Sequence, residues 1–220
     1  MKNFYKLIAI LFFSVVGYAN LYAQPFAEDI AAFKHKDSVH FPPAHAILFV
    51  GSSSFTKWQD VQDYFPGYKI INRGFGGSTL PDVTRYANSI IFPYHPKQIV
   101  IYCGENDFAA SDTVTTGEVF RRFKFLFTLI RSHDPNVPIA YVSMKPSPSR
   151  RHLMTKFIEE NKLIKNYLRT KSKTAFIDVY NKMLDTHGNT IPAIYVEDSL
   201  HMNSKGYAIW KKAIKPYLLK

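Results

Sequence analysis

The chain has 220 residues, 46% of them hydrophobic and 20% charged, with no low-complexity stretch and no internal repeat. That composition fits one globular domain with a sizeable core and excludes disordered, collagenous and solenoid classes. The formal net charge is +11, but the basic residues are scattered over helical segments apart from Arg121-Arg122 and Arg150-Arg151. Such scatter reads as solvated helix faces first, attraction to acidic glycans or anionic envelope surfaces second, and argues against a nucleic-acid partner.

In chain order, Lys2 and Lys6 precede the apolar run 7–16, and small residues follow at Ala19 and Ala23. This is the pattern of a secretory signal, too short for a comfortable membrane span. Cleavage is expected after Ala23, leaving 24–220 as a single domain, exported to the periplasm or secreted and with no stable membrane insertion. A retained anchor is the alternative. Removing residues 1–23 takes away two lysines and no acids, leaving +9. Cys103 is the only cysteine, so no intrachain disulfide is possible, and its place at the end of an apolar run predicts a buried strand thiol.

Beyond the signal, a short helix is expected over 26–33. Near-continuous apolar runs at 47–50, 69–72, 98–103, 138–144 and 175–179 predict strands buried on both faces, as in a parallel sheet. Amphipathic patterns at 81–91, 117–132 and 151–169 predict the intervening helices. In the second of these, Val119, Phe120, Phe123, Phe127 and Ile130 recur at helical spacing. A last helix is expected from Ser204 to Leu218, started by Asn203 as N-cap and carrying an apolar stripe through Tyr207, Ile209, Trp210 and Ile214. The alternation predicts a three-layer α/β/α sandwich around a mainly five-stranded parallel sheet.

Open sheets of this kind bind ligands beyond the carboxyl ends of their strands. Four polar segments fall at that edge: Gly51-Ser52-Ser53-Ser54, Gly74-Phe75-Gly76-Gly77-Ser78, Gly104-Glu105-Asn106-Asp107 and Lys145-Pro146-Ser147-Pro148-Ser149. Of eight histidines, His35, His40, His45, His95 and His133 precede strands and belong to the opposite edge. His152 opens a helix with no nearby acid, and His187 sits in a turn. His201 follows Asp198 by three residues, a spacing that lets both share one loop. Each feature has an ordinary structural explanation by itself: serines satisfy loop backbones, glycines take positive dihedrals, and Asn106 or Asp107 caps a turn. Together, a serine after a strand, an acid–imidazole pair and candidate oxyanion donors point to acyl transfer. Ser78 and Ser147 are alternative serines at the same edge. No dinucleotide fingerprint is complete, and no second histidine or cysteine stands at ligand spacing to His201, so neither a metal nor another cofactor is expected.

Gly51–Ser54, the segment ending at Gly77-Ser78, Gly104–Asp107 and Asp198 with His201 together resemble the four blocks of the SGNH hydrolases, also called the GDSL esterase/lipase family, a likeness that runs from Ile47 to about Trp210. The resemblance implies a flavodoxin-like sheet, Ser53 as nucleophile, Asp198 and His201 as its acid and base, and an oxyanion hole from the amides of Ser53 and Gly77 with the side chain of Asn106. Ser52 replaces the family's usual acidic residue, which supports the loop, so loop geometry is where this chain departs. Gly-Ser-Ser-Ser with Trp58 close behind, together with Asn72-Arg73-Gly74 and Lys145-Pro146-Ser147-Pro148, is similar to a subgroup of that family.

The expected reaction is hydrolysis of carboxylic esters, with small acyl groups, acetyl above all, on a carbohydrate or other polar carrier, because the short loops leave little material for a lid or lipid tunnel. A lysophospholipid is the rival substrate, and a non-catalytic glycan-binding protein the rival class. Arg73 is a candidate for meeting an acidic group of the carrier; the alternative is pairing with a carboxylate such as Asp107 or Asp82.

Overall fold

The computed structural model describes residues 24–220; the signal pattern lies outside the described residues. The apolar runs form β1 (Ile47–Gly51), β2 (Ile70–Gly74), β3 (Gln98–Tyr102), β4 (Ile139–Val142) and β5 (Thr174–Ile177). All pair in parallel in one sheet of order β2-β1-β3-β4-β5. The chain leaves β1 toward one side to make β2 and returns to the other to make β3, so the strand order reverses between β1 and β3. That is where an open parallel sheet leaves a crevice.

Because side chains alternate across a strand, each central strand feeds two cores. Leu48, Val50, Ile99, Ile101 and Tyr141 pack on one side; Phe49, Val100, Tyr102, Ala140 and Val142 pack on the other. The first side is covered by α1 (Ala27–Val39), α4 (Leu80–Arg85), α5 (Ala87–Ile90), α7 (Thr116–His133) and α8 (Met154–Arg169). The second is covered by the single-turn helices α2 (Ser53–Thr56) and α3 (Val61–Tyr64) and by α9 (Ser204–Ile214). On that side Trp58 stacks on Tyr207 with centroids 4.8 Å apart, and Trp210 meets Phe55 and Tyr102 edge-on. Aromatic packing of this kind fixes α2 against α9 beyond the area it buries.

Several boundaries differ from the sequence expectation. The first helix runs on to Val39, past the last residue with an apolar pattern. The expected helix 81–91 is broken at Tyr86 into α4 and α5. α9 ends at Ile214 because Pro216 lies just beyond and the chain tightens into a 3-10 turn. Asn203 is the N-cap as expected, its side chain accepting from the amides of Lys205 and Gly206. Cys103 is buried.

Candidate active site

β1 ends at Gly51 in a backbone only glycine can supply. Its φ is +137°, and a Cβ there would lie 1.8 Å from the carbonyl oxygen of Tyr102. The close approach lets the Ser52 amide bond that carbonyl at 3.0 Å, so the turn after β1 is fastened to β3. α2 then opens at Ser53. Asn72 on β2 holds α2 from the side: its Nδ2 donates to the carbonyls of Phe55 (2.7 Å) and Trp58 (3.3 Å).

Ser53 is partly exposed, whereas Ser78 and Ser147 are fully buried. The Ser78 hydroxyl is spent on the Gly51 carbonyl at 3.1 Å. Of the three candidate nucleophile serines, Ser53, Ser78 and Ser147, Ser53 is the one a solute can reach.

β3 leads through Gly104 into α6 (Glu105–Ala109). Asn106 reaches back across the crevice, its Nδ2 donating to Ser52 Oγ at 2.6 Å and to the Ser78 carbonyl at 3.0 Å. Ser52 therefore takes part in the loop through a neutral hydrogen bond to Asn106. Asp107 faces away from this group. It accepts from the Leu80 amide at the start of α4 (2.9 Å) and from Arg122 (2.9 Å), a capping and pairing role. Burial pushes its carboxyl pKa up against the opposing pull of Arg122.

Gly77 has φ +83°, with open space where a Cβ would stand apart from the Phe26 ring at 3.7 Å. Its conformation, rather than crowding, calls for glycine. Among the described residues neither the Gly77 nor the Ser53 amide has an acceptor.

Asp198 and His201 share one loop. Asp198 Oδ2 lies 2.5 Å from His201 Nδ1, while its other oxygen accepts from the amides of Leu200 (2.9 Å) and His201 (2.8 Å). Desolvation would raise this carboxyl, but the ring and the two amides together bring its pKa down to about 2. The loop closes on itself through Tyr195–Met202 pairing, with Ser199 in a left-handed conformation at φ 56°. It docks on the exit of β4, where the amide and hydroxyl of Ser149 both donate to the Ser199 carbonyl. Tyr207, in α9 just beyond it, donates to the Ser54 carbonyl at 2.9 Å and ties this region to the turn after β1. Neither Ser53 Oγ nor His201 Nε2 has a hydrogen-bond partner among the described residues.

Arg73 is not available as a substrate ligand. On β2 its side chain points opposite to that of Asn72, toward α1. There it pairs with Asp37, donates to Tyr94 Oη at 2.7 Å and lies over the rings of Phe33 and Tyr94. Pairing with a carboxylate is thus what occurs, and the partner is neither Asp107 nor Asp82. The extra turns of α1, which carry Asp37, decide this.

A group not singled out from sequence lies beside Asn106. Glu105 is buried and accepts from the Lys145 amide (2.9 Å), Lys145 Nζ (3.1 Å), Arg150 Nη1 (3.2 Å) and the Tyr102 hydroxyl. Burial alone would lift its carboxyl, but Lys145 and Arg150 hold it below the usual carboxylate value. Position next to Asn106 and the pair Arg150-Arg151 were the signals in sequence. Nothing local revealed that they meet. No group of three or more potential metal ligands occurs among the described residues.

A family model for the GDSL-like lipase/acylhydrolase family matches residues 46–209. No curated protein matches the chain. Among solved structures, a Streptococcus pneumonia protein provisionally named a platelet activating factor aligns at 19% identity with a TM-score of 0.77, covering 94% of this chain and 99% of its own. A GDSL-like lipase from Bacteroides thetaiotaomicron aligns at 20% identity and TM-score 0.71, covering 86% and 96%. An acetylxylan esterase from Geobacillus stearothermophilus, crystallised as a catalytic mutant, aligns at 14% identity and TM-score 0.64, covering 81% and 96%. At these identities the structures speak for the fold; the family model covers most of the chain. The chain belongs to the GDSL-like lipase/acylhydrolase (SGNH hydrolase) family and is a carboxylic ester hydrolase.

Proposed function

We propose that the protein removes short acyl groups, acetyl foremost, from a carbohydrate or other polar carrier outside the cytoplasm. Ser53 is the nucleophile and His201 the base that takes its proton. Asp198 holds the imidazole in the required tautomer and stabilises its charged form. The attacking oxygen forms a bond to the ester carbonyl carbon, the alkoxide leaves with the proton from His201, and water then releases the acyl group by the same path. The amides of Ser53 and Gly77 receive the oxyanion, joined by the side-chain amide of Asn106 on release of its bond to Ser52 Oγ.

The observation that carries this reading is the 2.5 Å contact of Asp198 with His201 on a loop fastened to the strand edge where Ser53 is the accessible candidate nucleophile. Unsatisfied amides at Ser53 and Gly77 support the oxyanion assignment. This mechanism requires a Ser53–His201 hydrogen bond in the substrate-bound state, where such contacts tighten.

The polar-carrier reading is supported by the surface. Of the large apolar side chains well exposed among the described residues, Val196 is the one on the Asp198–His201 loop. The similarity to an acetylxylan esterase points the same way. Labelling by a fluorophosphonate and turnover of nitrophenyl acetate, both abolished by Ser53→Ala, test the chemistry. Preference for long-chain over short-chain nitrophenyl esters would reject the acetyl assignment and favour a lysophospholipid. A wild-type protein that takes no label would favour the non-catalytic glycan-binding reading.

A further inference from the structure

We infer that Arg150 is a positioning residue for the oxyanion hole, acting through the side-chain amide of Asn106; this rests on the role proposed for Asn106. A primary amide presents two nearly isosteric faces, and a half-turn about χ2 exchanges donor for acceptor. With the carbonyl turned inward, Asn106 would repel the oxyanion it is meant to bind. Something must therefore break the symmetry.

Arg150 does so. Its Nη2 lies 2.7 Å from Asn106 Oδ1, and a guanidinium has donors only, so the atom it touches must be the carbonyl oxygen. The Nδ2 group is thereby aimed at Ser52 and Ser78, on the Ser53 side. The same contact is charge-assisted and draws electron density toward Oδ1, which makes the N–H bonds better donors.

Arg150 is in turn held by the buried Glu105, whose carboxylate is anchored by the side chain and amide of Lys145 and by Tyr102. These residues come from the end of β3, the start of α6, the exit of β4 and the 3-10 turn Pro148–Leu153. Two chain segments, 102–106 and 145–150, that meet only in the folded state thus set the direction of one amide. Arg150 is largely buried, with 16% of its side chain exposed, and its two polar contacts are both internal.

The test is a double-mutant cycle on nitrophenyl acetate using Arg150→Ala, Asn106→Ala and the pair. Arg150→Ala is expected to lower kcat by about 10- to 100-fold with KM changed less than about threefold, because the interaction is made in the transition state. In the Asn106→Ala background the same substitution is expected to cost less than about threefold. A full, additive loss in that background would overturn the proposal, since Arg150 would then act on substrate or on the fold. A loss confined to KM would overturn it as well. If Asn106→Ala alone leaves kcat unchanged, the oxyanion assignment of Asn106 fails first and this inference with it. Arg150→Met, which keeps the packing of the side-chain stem, carries the same cycle if the alanine variant does not fold by thermal melt. If the Arg150→Met variant retains wild-type kcat, Arg150 has no role in orienting the amide.

Discussion

Glu160 offers the sharpest quantitative test of the fold's electrostatics. It lies on α8 with no exposed surface, and neither carboxylate oxygen has a partner. Burial first, and the charges of Asp107 and Glu159 second, raise its pKa from 4.5 to about 8. The native state therefore holds a proton that the unfolded chain releases above pH 4.5. Its contribution to stability is full below that pH and is lost as pH rises through about 8. Integrating the linkage over this shift, the contribution of Glu160 to stability falls by roughly 2–3 kcal/mol between pH 5 and 7, and by about 4 kcal/mol by pH 9.

Glu160→Gln removes the titration, so the mutant's stability relative to wild type rises across that range. Urea melts of both proteins at pH 5, 7 and 9 measure the difference, and its slope is independent of whatever the amide costs in packing. Parallel curves would refute the argument: they would mean that Glu160 is ionised in the native state and that its carboxylate is hydrated or paired.

Ser53→Ala is expected to lower kcat by about four to six orders of magnitude with unchanged thermal stability, and an ester assay on folded protein checks it. Asp37→Ala strands Arg73 and Tyr94, both buried, and is expected to cost roughly 3 kcal/mol in a urea melt while leaving activity per folded molecule within about twofold. Gly51→Ala places a methyl group against the Tyr102 carbonyl at a positive φ and is expected to destabilise by more than about 3 kcal/mol or prevent folding. Soluble expression followed by a thermal melt decides this. Replacing Asp107 by Asn weakens the Arg122 pair and the α4 cap, and should lower stability by about 1–2 kcal/mol without the kcat loss of an oxyanion-hole change.

Much of the architecture was legible along the chain because a parallel sheet buried on both faces writes itself as uninterrupted apolar runs. The five strands appeared where expected, with ends displaced by a few residues, and the segments of Ser53, Gly77 and Asn106 sat at strand exits. The Asp198–His201 pair could be anticipated for a local reason: three residues and a capped helix behind them bring acid and ring within one loop. Arg73 could not be assigned in the same way. Whether it met a substrate or a carboxylate depended on the far end of α1, 36 residues away, where the sequence carries no amphipathic signal.

Glu105 and Arg150 make the same point for function. Sequence by itself determined the strand–helix order, the chemistry available at each strand exit and the family to which these blocks belong. Only the tertiary structure decided that Ser53 alone of three candidate serines is reachable, that Ser52 bonds Asn106, and that Arg150 donates to the oxygen of that amide. The physical reason is separation along the chain: a hydrogen bond between residues 44 positions apart leaves no periodicity to read, and is set by which segments the two cores press together.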